Sequence, residues 1–258
     1  MKAYVINLDR DRERMAHMER QGKQFGIDWT RISAADKLDQ EIAGRAALAR
    51  PGLLGFVISA GAIGCFESHR KAWKLIVDSG DSHGAVFEDD VVCSAVLPEF
   101  LATAEWIPQD CDIVKLETFG RTTIGAKPAR VFAQRRIVRL HGRHLGSSAY
   151  IVSRSAAERL LALSEDFADP VDEFLFNAQS RHFPRLTLYQ LDPAPCIQGA
   201  HLGLDGQADY MKSSNDPNKK PRKAQYTFRK YAMRKMSRLI EKLSIVVGRL
   251  ERRKIDFR

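Results

Sequence analysis

The chain has no apolar stretch approaching the roughly 20 uninterrupted residues of a membrane-spanning helix. Its start, Met1-Lys2-Ala3-Tyr4-Val5-Ile6-Asn7, reaches charge too soon for a signal peptide. The expectation is a protein that stays in the compartment where it is made. Cysteine is scarce: Cys65, Cys93, Cys111 and Cys196 are widely spaced, with no C-x-x-C pair, which predicts reduced thiols and a cytoplasmic setting. Also missing are a G-x-x-x-x-G-K-[ST] phosphate loop, an H-E-x-x-H zinc helix and a G-x-S-x-G elbow. Nucleotide triphosphate hydrolysis, zinc proteolysis and serine esterase chemistry lose their simplest support. No internal repeat suggests a solenoid or propeller.

What is present is a chain of 258 residues with 44% hydrophobic and 28% charged residues, enough apolar material for a sizeable soluble core. The net charge of +9 is uneven. Residues 219 to 258 hold 15 Lys/Arg against 3 Asp/Glu, whereas residues 1 to 218 hold 26 against 29. The body is mildly acidic, so nucleic acid is not the expected partner. Ser213-Ser214-Asn215-Asp216-Pro217-Asn218 reads as a linker. Beyond it Phe228, Tyr231, Ala232, Met236, Leu239, Ile240, Leu243, Val246, Val247 and Leu250 keep helical spacing among basic residues. A catalytic domain over 1–212 and a linker with a basic amphipathic helical tail over 213–258 are expected. Such a tail suits an anionic membrane surface, where each basic side chain contributes about 1 kcal/mol. A helix packed on the body, or a nucleic-acid-binding element, would share the pattern.

In the body, strand-like and helix-like segments alternate. Ala3–Leu8 and Ile27–Ile32 read as strands flanking a helix, and Ala62, Ile63, Cys65, Phe66, His69, Ala72, Trp73, Ile76 and Val77 mark a long helix stopped by Gly80. Ala85–Phe87, Asp112–Glu117 and Ser148–Val152 read as further strands, the last followed by a helix from Ala156. This alternation predicts an α/β fold with a mostly parallel sheet and ligands beyond the carboxyl ends of its strands. Phe119 to Arg143 is expected to be an insertion or hairpin on the acceptor side.

Glu88-Asp89-Asp90 follows Ala85-Val86-Phe87, so three mutually repelling carboxylates arrive where ligands bind. A bare acidic tripeptide is more often a solvated turn. At a strand end, however, a cation relieves the repulsion, and Mg²⁺ or Mn²⁺ takes carboxylate oxygens while keeping positions open for a diphosphate. Asp90 is the expected main ligand, with Glu88 or Asp89 orienting ribose or metal-bound water.

Four segments resemble glycosyltransferase family 25. They are Val5-Ile6-Asn7-Leu8-Asp9-Arg10 with Arg14, the stretch Gly61 to Trp73, Val86-Phe87-Glu88-Asp89-Asp90-Val91, and Pro170-Val171-Asp172-Glu173-Phe174-Leu175. Gly146 to Ser153 is similar to a later strand of the family. The resemblance covers residues 4 to about 200 and leaves the basic tail out. It implies a GT-A type nucleotide-diphospho-sugar fold, an inverting transfer from a UDP-sugar with UDP-galactose as the usual donor, and a divalent metal at the acidic run. It also implies a lipopolysaccharide or lipooligosaccharide core as acceptor, which places the protein on the cytoplasmic face of the inner membrane.

Carried onto this chain, the resemblance puts Asn7, Leu8 and Arg10 beside the nucleotide base and brings Ser68 and His69 to the donor, with Arg14 a further binding candidate. Without it, Arg10 and Arg14 read as a solvated helix face and His69 as a buried core histidine. Inverting transfer needs a general base; Asp172 or Glu173 is the candidate, though Asp172 would equally suit a helix cap. By analogy with GT-A enzymes, His201 is a further candidate ligand for metal or diphosphate. The competing reading is a non-catalytic nucleotide-sugar or nucleic-acid-binding protein that uses the basic tail.

Overall fold

The computed structural model describes residues 1–52, 55, 57–128, 130–202, 245 and 247–258. Strand β1 (Lys2–Asn7) leads into helix α1 (Arg12–Phe25) and returns as β2 (Trp29–Ser33), parallel to β1. After α2 (Gln40–Leu48) comes the long helix α3 (Ala60–Ser79), then β3 (His83–Glu88) on the other side of β1, again parallel. The Ser59 hydroxyl accepts the Ala62 amide at 3.2 Å to start α3, and Gly80 ends it in the left-handed region at φ 77°. These are the cap chemistries that glycine after an apolar stripe and serine before it foretell.

The chain continues through β4 (Val91–Cys93), α4 (Leu97–Ala102), β5 (Ile113–Lys115) and β6 (Glu117–Thr118). Next are β7 (Thr122–Ala126), β8 (Arg130–Phe132), β9 (Arg135–Arg139) and β10 (Ala149–Ser153). Helices α5 (Arg154–Leu163) and α6 (Val171–Phe176) precede β11 (Leu188–Asp192) and β12 (Cys196–Gln198). The eight-stranded sheet runs β2-β1-β3-β10-β5-β11-β9-β8.

That sheet is mixed, not mostly parallel as expected. β1 is parallel to β2 and β3, and β5 to β11, but β10 lies antiparallel between β3 and β5, and β9 is antiparallel to both β11 and β8. Apolar runs report burial on both faces, and they carry no information about strand direction. The Phe119–Arg143 stretch contains a hairpin, β8–β9, which forms the far edge of the main sheet.

Successive residues of the strands face opposite sides, and the core divides accordingly. Tyr4, Ile6, Val86, Tyr150 and Val152 pack with α3, α5 and α6 on one face. Ala3, Val5, Ala85, Phe87, Ala149 and Ile151 pack with Met18, Phe100 and Trp106 on the other. The result is three layers, helices on both sides of one sheet.

The tail departs from expectation at its end. Its sequence over 203–244 and at 246, which carries most of the proposed helical stripe and the linker, lies outside the described residues. Leu250–Lys254, assigned to that helix, forms strand β13 instead, antiparallel to β7. Ile255 beyond it is fully buried, and its carbonyl accepts from the Thr118 hydroxyl at 2.7 Å. Leu250 and Ile255 therefore pack on the body, which a helical count over isolated basic sequence cannot foresee.

Candidate active site

Three strands of the main sheet each run on into a second, three-stranded sheet ordered β4-β12-β6. β3 feeds β4, β5 feeds β6 and β11 feeds β12, each through a break of one to three residues. The break between β3 and β4 is Asp89-Asp90. Both carboxylates are buried, and with Glu88 they line a cavity shared with Leu8, Arg10, Arg14, Cys65, Ser68 and Gln198. The parallel register aligns Ile6 with Glu88, so the cavity opens at the carboxyl ends of β1 and β3.

Each carboxylate has different partners. Glu88 Oε1 accepts from the Ser147 hydroxyl at 3.0 Å and faces His69 Nε2 at 3.4 Å. Burial pushes Glu88 up, but His69, Ser147 and Arg14 outweigh it and the net shift is downward. Asp89 accepts from Asn7 Nδ2 at 2.7 Å and Arg14 Nη1 at 3.1 Å, yet burial still raises it. Among the described residues Asp90 has only a long side-chain contact, with Gln198 Nε2, 3.4 Å to each oxygen. Burial, then the charge of Glu88, carry it from 3.8 to about 7.

Asp90 is thus a buried carboxylate with weak donors beside two others, which is the situation a hard divalent cation resolves. The donor set is all oxygen, and Mg²⁺ or Mn²⁺ fits it. Glu88 and Asp90 would hold the ion, while Asp89 is already engaged by Asn7 and Arg14.

The remaining candidates fall into three groups. Leu8, Arg10, Arg14 and Ser68 line the cavity. Arg10 pairs with Asp36, and the Ser68 hydroxyl accepts the Ala35 amide at 2.8 Å while donating to Gly64 O at 2.7 Å, so it ties the Ala34–Ala35 wall to α3. Asn7 and His69 stand just behind the wall. Asn7 is buried between Asp89 and Arg31, and fully buried His69 lies 2.8 Å from the Tyr150 hydroxyl through Nδ1. His201 is not brought to the carboxylates: it is exposed, with its ring 4.9 Å from that of Phe119. The residue of that segment which reaches Asp90 is Gln198.

Asp172 and Glu173 open α6 but do not line the cavity. Glu173 is buried and tied to Arg143 Nη2 at 2.6 Å and Asn177 Nδ2 at 2.5 Å. Asp172 accepts the Glu173 amide at 2.8 Å and a backbone hydrogen bond from Gly146. Burial, then its neighbour Glu173, raise it to about 6. Its charge bears, with those of Glu88 and Asp90, on the thiol of Cys65 in the cavity floor.

Sequence reading missed the polar support beneath this floor. Lys115 and Glu117, both fully buried, pair at 3.3 Å, and Lys115 Nζ also donates to Leu145 O at 2.6 Å. Glu117 accepts the Ser148 amide at 2.6 Å. This holds the 145–148 loop that supplies Ser147 to Glu88 and Gly146 to Asp172. Two opposite charges flanking Leu116 in an otherwise apolar strand were the available signal.

The chain is similar to known glycosyltransferases. A family model described as glycosyltransferase family 25 (LPS biosynthesis protein) matches residues 1–175. The lacto-N-neotetraose biosynthesis glycosyltransferase LgtB of Neisseria meningitidis is 32% identical over 216 residues, 78% of this chain and 75% of that one. The lipooligosaccharide biosynthesis protein lic2B of Haemophilus influenzae is 27% identical over 209 residues, covering 77% and 76%. A solved glycosyltransferase involved in glycosylating the major capsid of PBCV-1 superposes with a TM-score of 0.41 at 9% identity, over 80% of this chain and 93% of that one, too distant to bear on the assignment. With the family's match running from β1 through the acidic run to α6, the chain belongs to glycosyltransferase family 25.

Proposed function

We propose that this protein transfers a sugar, galactose, from UDP-galactose to a saccharide of the lipopolysaccharide or lipooligosaccharide core, with inversion at the anomeric carbon, on a GT-A type fold. Family membership supplies the reaction class, and the names of the Neisseria and Haemophilus relatives supply the acceptor class. The observation that carries the reading is the divergence of carboxylates at this end of the sheet: Glu88, pushed down, and Asp90, pushed up to about 7, line one cavity, while Asp172, pushed up to about 6, opens α6 outside that lining. Such divergence separates ligand from base.

A divalent cation bound by Glu88 and Asp90 supplies charge stabilisation for the departing diphosphate. Arg10 and Arg14 line the cavity beside these carboxylates and add positive charge toward donor phosphates. Asn7 and Arg14 hold Asp89 in place, so the run's backbone keeps its turn. Asp172, held by backbone donors and raised near neutrality, takes the proton of the attacking acceptor hydroxyl. Glu173, bound to Arg143 and Asn177, positions the start of α6. The basic residues after 218 attach the protein to the anionic cytoplasmic face of the inner membrane, near a lipid-linked acceptor.

The test is UDP release from a panel of nucleotide sugars with core oligosaccharide acceptors, with Mn²⁺, with Mg²⁺ and with chelator. Metal-dependent turnover of UDP-galactose is expected. Full activity in chelator would remove the metal role, and turnover confined to another donor would correct the sugar. If Asp90→Ala leaves the protein's function intact, the non-catalytic binding reading stands instead. For the tail, charge reversal at Lys219, Lys220, Arg222 and Lys223 should abolish pelleting with phosphatidylserine vesicles. This is cleaner than truncation, which would also remove β13; unchanged pelleting rejects the anchor.

A further inference from the structure

Beside the Asp90 site, Glu88 meets two side chains that the proposed transfer does not use. Cys65 and His69 stand one turn apart on α3, and Glu88 arrives from the end of β3. Cys65 Sγ, His69 Nε2 and a Glu88 carboxylate oxygen all lie within 4.8 Å of one another. Nε2 of His69 is buried and, among the described residues, makes no hydrogen bond of good geometry, although it faces Glu88 Oε1 at 3.4 Å. A tetrahedral zinc ion with bonds of about 2.0–2.3 Å holds its ligand atoms roughly 3.3–3.6 Å apart. The histidine and glutamate are therefore already at ligand spacing.

We propose that Cys65, His69 and Glu88 form a binding site for a thiophilic dication of the zinc class, adjacent to the all-oxygen site at Asp90 and sharing Glu88 with it. Thiolate and imidazole select such an ion over Mg²⁺. A thiolate and a carboxylate together neutralise the dication, so the buried centre carries no net charge. Asp90 and Asp172 add negative surroundings that favour a cation further. The imidazole is fixed for the purpose: Nδ1 lies 2.8 Å from the Tyr150 hydroxyl oxygen, which also accepts from Trp73 Nε1 at 2.8 Å. Support of this kind behind a ligating histidine sets its ring orientation. Cys65 and Glu88 both line the cavity, so the fourth coordination position opens onto it, available to water or to an anionic oxygen. Apart from Glu88, its ligands take no part in the proposed transfer.

The experiment titrates the full-length protein with Cd²⁺ as a zinc surrogate, in excess Mg²⁺, following the ultraviolet thiolate-to-cadmium band. One equivalent per chain is expected, displaced by Zn²⁺ and not by Mg²⁺. Cys65→Ser should weaken binding by at least about tenfold, while Cys93→Ser and Cys196→Ser retain it. A band that survives Cys65→Ser, that never forms in the unmodified protein, or that Mg²⁺ removes would overturn the proposal. A second measurement needs no variant: alkylation of the native protein, mapped by mass spectrometry. Zn²⁺ should protect Cys65 by at least about tenfold; unchanged labelling of Cys65 equally rejects the site.

Discussion

The acidic run after β3 and the carboxylate pair opening α6 solve one electrostatic problem in different ways. In both places neighbouring acids are driven apart by what surrounds them. At α6, Glu173 has two close donors in Arg143 and Asn177, while Asp172 keeps only backbone donors and rises to about 6. After β3, Glu88 and Asp89 have close partners, while Asp90 meets only a distant amide and rises to about 7. The contrast lies in what each unsatisfied group still lacks. Asp90 sits beside Glu88 and Asp89 and calls for a cation; Asp172 feels the positive charge of buried Lys115 and calls only for a proton.

The sharpest way to break this contrast is Asp90→Asn. Turnover should fall on the order of 10³-fold, measured as UDP release at saturating Mn²⁺. Stability should move the other way in the ion-free protein. A carboxyl raised from 3.8 to about 7 contributes stability that is fully present below its ordinary value and lost as pH rises through 7. Its charged form therefore costs up to about 4 kcal/mol at pH 8. Asp90→Asn should raise the ion-free melting temperature at pH 8, with the gain vanishing toward pH 4; a variant less stable at pH 8 contradicts the assignment.

Next in size is Asp172→Asn, expected to lower kcat on the order of 10²-fold while leaving the donor KM near its starting value. The pH profile sharpens this. Because the base must be ionised, rate should fall about tenfold per pH unit below about 6, and that limb should disappear in Asp172→Asn. A limb that persists assigns it elsewhere.

Gly146→Ala probes the loop joining the two regions. Its φ is +91°, and a Cβ there would meet Phe119 Cζ at 2.3 Å and Glu117 Oε1 at 2.7 Å. A loss of about 1–3 kcal/mol in denaturant unfolding is expected. Glu173→Gln should be the mildest, costing about 1 kcal/mol from the weakened Arg143 and Asn177 contacts with kcat little changed. A large kcat effect there would move the base to Glu173.

Much of the site was legible in local sequence because its pieces are local. Gly80 and the apolar stripe from Ile63 to Ile76 announced α3, and Ala85-Val86-Phe87 announced the strand that delivers the acids. Gln198 was not legible, since nothing in Cys196-Ile197-Gln198 marks it until β12 pairs with β4 and lays it beside Asp90. Leu250 fitted a helical stripe, yet its partner is β7, more than a hundred residues away.

What the sequence determined by itself is the order of elements, the family, and the presence of carboxylates at a strand end, all consequences of periodicity and short motifs. Tertiary structure alone decided strand direction in the mixed sheet and which acid is satisfied and which is stranded. It also decided the meeting of Cys65, His69 and Glu88, and the return of the C-terminal strand to the body. Each of these depends on desolvation or on pairing between distant segments, and neither quantity is written in the spacing of neighbouring residues.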